Sequence, residues 1–140
     1  MKFFLHLSNC MSFLFQKEVT DSYIFLMNKQ SDIYGLTDRD IKTILSVFNQ
    51  YTEVLLVHIF GSRAKGAAKA GSDVDLAIMN KGVDSKTLLK LNNDFEESTL
   101  PYKVDLVNFH TLTNPDFIDH IRRVGVFFYQ RDDDNRNTTL

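Results

Sequence analysis

Beyond the first 26 residues, apolar and polar positions settle into two distinct periods. Ile41, Ile44, Leu45 and Phe48 recur at helical spacing, and Thr37 or Asp38 can cap the start of that helix. Residues 53–60 (EVLLVHIF) form a nearly continuous apolar run of strand length, which predicts a buried central strand. Residues 61–72 follow neither period and read as a loop with one helical turn near its start. Residues 73–80 (DVDLAIMN) predict a second strand, ended by the turn signal Asn80-Lys81-Gly82. Leu88, Leu89, Leu91 and Phe95 give one apolar face to a helix from Ser85 to about Leu100, with Pro101 as its stop. Residues 102–109 (YKVDLVNF) predict a third strand, with Val104, Leu106 and Asn108 on one face and Lys103, Asp105 and Val107 on the other. Asn114-Pro115 opens a last helix lined by Phe117, Ile118, Ile121 and Val124. Gly125 ends it, and residues 126–130 form a final short strand.

This order predicts an α+β domain: a small mixed sheet of about four strands flanked by helices. The short Gly-rich link between the first two strands favours antiparallel pairing, and the helix before the third permits a parallel crossover. The domain is expected over residues 36–130, with an N-terminal extension over 1–35 and a polar, disordered tail over 131–140. The extension crowds Phe3, Phe4, Phe13, Phe15 and Phe25 without a period. Its apolar run is too short for a signal peptide, and Asn9 is a poor residue before Cys10. The expectation is therefore sequence upstream of a true start at Met27.

Composition narrows the function. A chain of 140 residues at 44% hydrophobic can build one real core. A formal charge of −2 provides no global attraction for nucleic acid, so no direct nucleic-acid partner is expected. The single Cys10 excludes an internal disulfide framework and a cysteine zinc site. No run approaches the ~20 apolar residues that span a bilayer, so no membrane partner is expected and the expected location is cytoplasmic.

The chemistry concentrates in two places. Gly61 lets backbone approach a phosphate closely, Ser62 adds a hydroxyl donor, and Arg63, Lys65 and Lys69 add positive charge with no acid before Asp73. The segment is neither a P-loop, since Ala67-Ala68 follows Gly66, nor a G-x-G-x-x-G fingerprint. Asp73 and Asp75, at i and i+2 on a strand, share one face while Val74 and Leu76 point into the core. Such a pair suits Mg²⁺, which takes one or two carboxylates together with substrate phosphates. Asp105 interrupts an apolar strand. If that strand neighbours the Asp73–Asp75 strand, three carboxylates converge, two metal ions can be held, and Asp105 can accept the proton of an attacking hydroxyl.

Phe60-Gly61-Ser62, then Asp73-Val74-Asp75, then Val104-Asp105-Leu106 together resemble the minimal nucleotidyltransferase (MNT) domain family of the DNA polymerase β-like superfamily. Residues 117–129 also look like that family's closing helix and strand, and the resemblance covers about residues 36–130. It implies the minimal nucleotidyltransferase fold and transfer of AMP from ATP to a hydroxyl. Asp73, Asp75 and Asp105 would hold Mg²⁺, and Gly61, Ser62 and Arg63 would bind ATP, with Lys65 and Lys69 weaker candidates. It further implies a HEPN-domain ribonuclease toxin as partner, a tyrosine of that toxin as acceptor, and the role of antitoxin. Two other readings are weighed: a non-catalytic antitoxin that occludes a HEPN partner, and a nucleotidyltransferase acting on a small molecule of the aminoglycoside kind. The absence of an added substrate domain counts against the latter, and the three clustered acids count against the former. Elsewhere, His58 reads as a packed core histidine, and the run 127–129 is too apolar to be wholly exposed.

Overall fold

The computed structural model describes residues 34–132. The expectations about Cys10, a start at Met27 and the tail from Asp133 onward lie outside the described residues. Within them, the chain runs α1 (Asp38–Asn49), β1 (Leu56–Phe60), α2 (Gly61–Ala64), β2 (Val74–Ile78), α3 (Ser85–Glu97), β3 (Val104–Asn108), a 3-10 turn (Phe109–Thr111), α4 (Pro115–Val124) and β4 (Val126–Gln130).

Each helix starts where local chemistry allows. Thr37 and Asp40 form a capping box on α1: the Asp40 N–H donates to the Thr37 hydroxyl at 3.2 Å, and the Thr37 N–H donates to Asp40 Oδ2 at 3.0 Å. Asp84 caps α3 by accepting from the Thr87 N–H at 2.7 Å. Asn114 caps α4 by accepting from the Asp116 and Phe117 N–H groups, and Pro115 fills the first helical position.

The strands form one mixed sheet in the order β3-β2-β1-β4. β1 pairs antiparallel with both β2 and β4, and β2 pairs parallel with β3, with α3 as the crossover. This is the mixed α+β sheet that the element order predicts. One face, carrying Val57, Ile59, Val74, Leu76, Ile78 and Leu106, buries against Ile41, Ile44 and Phe48 of α1 and Leu91 and Phe95 of α3. On the other face Phe60 and Ala77 meet Ile121 of α4, with Phe117 and Val124 packed alongside. α4 covers this second face only in part, and the carboxylates stand on it.

Three expectations are corrected. Leu89, placed on the apolar face of α3, is 63% exposed. Leu88, Leu91 and Phe95 follow an i, i+3, i+7 stripe, from which Leu89 is rotated by about 100°. The core also reaches back to Tyr34, assigned to the extension: it is buried, and its hydroxyl donates to Phe127 O at 3.3 Å. Arg131, assigned to the tail, is tied into the domain. Its N–H donates to Leu55 O at 2.9 Å, and its guanidinium donates to the carbonyls of Phe48, Asn49, Tyr51 and Val54.

Candidate active site

Backbone register builds the site. In the β1–β2 pair Phe60 stands opposite Asp75, and in the β2–β3 pair Asp75 stands opposite Asp105. Neighbouring strands lie about 4.8 Å apart, so the third acid of the sequence sits on the strand beside the second, on the same face. Asp73 is exposed just before β2, where the Val74 N–H donates to Lys103 O at 2.8 Å and fastens the starts of β2 and β3 together.

Gly61 follows Phe60 directly and adopts φ +70°, a left-handed conformation natural to glycine. A Cβ built there would overlap Oδ2 of Asp75. The Gly-Ser bend and the central carboxylate are thus packed against each other. The first N–H groups of α2 have no acceptor within the helix, and Ser62 lies half-buried beside them.

The electrostatics record the crowding of acids. Burial pushes the Asp75 carboxyl above its ordinary value of 3.8, and the charges of Asp105 and Asp73 push it the same way, while Arg63 and Lys103 oppose them. Lys103 Nζ pairs with Asp105 Oδ1 at 2.9 Å, and that carboxylate raises the lysine's pKa. Sequence reading put Lys103 and Asp105 on one face but did not draw this ion pair. The i, i+2 spacing on a strand was the signal for it.

Of the residues expected to bind ATP, Gly61 and Ser62 line the bend, and Lys65 is exposed at the end of α2. Arg63 is elsewhere. It is 1% exposed, its donors are engaged by backbone carbonyls, and its guanidinium lies over the Tyr102 ring. As it stands, the guanidinium faces backbone carbonyls and the Tyr102 ring, whereas the expectation had it face the triphosphate. Among the described residues, no group of three or more His, Cys, Asp or Glu closes on a point that could hold a metal as the side chains stand. The donor set nevertheless fits a hard divalent cation. It offers oxygen ligands only, and its central carboxyl is disfavoured as an anion by burial and by the neighbouring acids, whose repulsion a bound cation relieves.

The family model described as polymerase beta, nucleotidyltransferase matches residues 42–134, a span that takes in the bend and all three acids. This chain belongs to that nucleotidyltransferase family. As a minimal nucleotidyltransferase, it is 35% identical over 98 residues to the Haemophilus influenzae protein named probable protein adenylyltransferase MntA, covering 69% of this chain and 85% of that one. Its fold is similar to a crystal structure of a toxin-antitoxin with AMP-PNP, with TM-score 0.54 and 19% identity, covering 66% of this chain and 74% of that one. It is also similar to the crystal structure of the toxin-antitoxin MntA-HepT, with TM-score 0.51 and 18% identity, covering 68% and 74%. Among the described residues of the nucleotidyltransferase, no helix is long and apolar enough to cross a membrane.

Proposed function

We propose that this nucleotidyltransferase is an Mg²⁺-dependent protein adenylyltransferase that moves AMP from ATP to a tyrosine hydroxyl of a HEPN-domain toxin, and so acts as that toxin's antitoxin in the cytoplasm. The observation that carries this reading is the Asp75–Asp105 register pair, with the Asp75 carboxylate packed against Gly61. The name of the Haemophilus influenzae relative supports adenylyl transfer to protein, and the toxin-antitoxin structures of like fold support the kind of partner.

Asp73, Asp75 and Asp105 are the residues that would hold Mg²⁺, two ions being expected. Bound there, the metal would neutralise phosphate charge and favour ionisation of the attacking hydroxyl. Ser62 and the first N–H groups of α2 would receive the triphosphate, with Lys65 at the rim. The acceptor oxygen forms a bond to the α-phosphorus, the bond to the bridging oxygen breaks, and pyrophosphate leaves. The hydroxyl proton goes to Asp105, whose side chain is 41% exposed and open to an incoming protein.

The test is incubation of the protein with its HEPN partner and ATP labelled at the α-phosphate. Label is expected on a partner tyrosine, and Asp73→Asn with Asp75→Asn is expected to abolish it. Failure of wild type to transfer label, or undiminished transfer by the double variant, would remove the proposal.

A further inference from the structure

Arg63 is the most completely buried charged side chain among the described residues, and the transfer reaction as drawn does not use it. Its Nε donates to Ser72 O and Asp73 O, each at 3.2 Å. Its Nη1 donates to Tyr34 O at 2.8 Å and Gly35 O at 3.1 Å, and its Nη2 donates to Ser72 O at 2.6 Å. The guanidinium carbon lies 4.4 Å from the centroid of the Tyr102 ring. A buried cation is costly unless its donors are satisfied. Here a planar five-donor fork meets carbonyls from separate segments and stacks on an aromatic face, which an ammonium group cannot reproduce.

The segments it joins are informative. Tyr34 is part of the core, so Tyr34–Gly35 is the fixed end of the clamp. Ser72–Asp73 closes the loop that delivers the first acid. Tyr102 immediately precedes Lys103, which bonds Val74 through its carbonyl and Asp105 through its ammonium. Arg63 itself stands two residues after Gly61. One side chain therefore connects the Gly-Ser bend to the approaches of both acid-bearing strands.

We propose that Arg63 is a positioning residue of the transfer site. Its guanidinium fixes where Asp73 and, through Tyr102, the Lys103–Asp105 pair stand, without touching the triphosphate. This rests on the carboxylate reading given above.

Arg63→Lys, which keeps the charge and loses the fork, tests it in the full chain. Amide hydrogen exchange is expected to quicken about tenfold at Ser72 and Val74, as local opening of that junction requires, with Ile59 and Leu76 unchanged. A uniform acceleration, or none, would overturn the proposal. In electron paramagnetic resonance titrations with Mn²⁺ and no nucleotide, Arg63→Lys is expected to bind about tenfold more weakly, the scale of effect that misplaced ligands produce. ATP affinity measured in EDTA is expected to stay at the wild-type value. A loss of metal-free ATP affinity would instead return Arg63 to phosphate binding and overturn the proposal. If Arg63→Lys does not fold, Tyr102 decides: Tyr102→Leu is expected to reproduce the local exchange and Mn²⁺ changes, and Tyr102→Phe to rescue them, and equal behaviour of the two overturns the proposal. A wild type that takes up no Mn²⁺ removes the metal-site reading alone, and the exchange pattern then decides for Arg63.

Discussion

The carboxylate of Asp75 lies so close to the α-carbon of Gly61 that nothing larger than hydrogen fits between them. Two constraints therefore meet at Gly61, a left-handed backbone and the absence of a Cβ. Gly61→Ala violates both. It is expected to cost about 1–2 kcal/mol from backbone conformation alone, and to displace the Asp75 carboxylate. Thermal melting and the labelled-ATP assay check it: the variant remains folded with a lowered melting temperature and transfers no measurable AMP.

Asp75 also predicts a pH dependence. Its pKa is raised in the folded protein, so the folded state binds its proton more readily than the unfolded chain does. The stabilisation from that proton is fully present below the ordinary value of 3.8 and is lost as pH rises through the raised folded value. Asp75→Asn removes this loss. Urea denaturation in EDTA between pH 4 and pH 8 is expected to show Asp75→Asn gaining on wild type as pH rises, with the gap closing at the acid end. A constant gap would mean that Asp75 is not the titrating group.

Much of this site is legible in the sequence because strand periodicity fixes faces. The alternation in residues 73–80 and 102–109 put Asp75 and Asp105 on the faces where the structure has them, and the Gly-rich link and helical crossover gave the pairing directions. Arg63 was not legible. A basic residue in a Gly-Ser loop reads as a phosphate ligand, and the burial of Arg63 depends on carbonyls from Tyr34, Gly35, Ser72 and Asp73, which only tertiary structure gathers. The consecutive burial of Phe128 and Tyr129 also escapes simple alternation, because the β1–β4 register shifts between Val57 and His58.

Lys103→Met tests the electrostatics of the acid cluster. The Lys103–Asp105 pair is exposed, so its loss is expected to leave the melting temperature nearly unchanged. Removing a cation from beside three carboxylates is expected to tighten Mn²⁺ binding in a nucleotide-free titration, more so at low salt than at high salt. Weaker binding in the variant would mean that Lys103 helps to assemble the site.

Asn80 offers a control away from the chemistry. Its side chain accepts from the N–H groups of Leu55 and Leu56 and donates to the carbonyls of Glu53 and Lys81, joining the lead into β1 to the end of β2. Asn80→Ala leaves those backbone groups without that partner and is expected to cost roughly 1–3 kcal/mol. Denaturation curves measure that loss, and Mn²⁺ affinity in the folded protein is expected to be unaltered.

The parallel pairing of β2 with β3 sets an order on biosynthesis. Asp75 leaves the ribosome well before Asp105, and all of α3 is made between them. A nascent chain that stops short of β3 holds the bend and two of its acids but has no third carboxylate to set beside them, so on the proposed chemistry competence for transfer arises only once the crossover has docked. A nucleotidyltransferase built this way matures late, once β3 has followed the bend out of the ribosome.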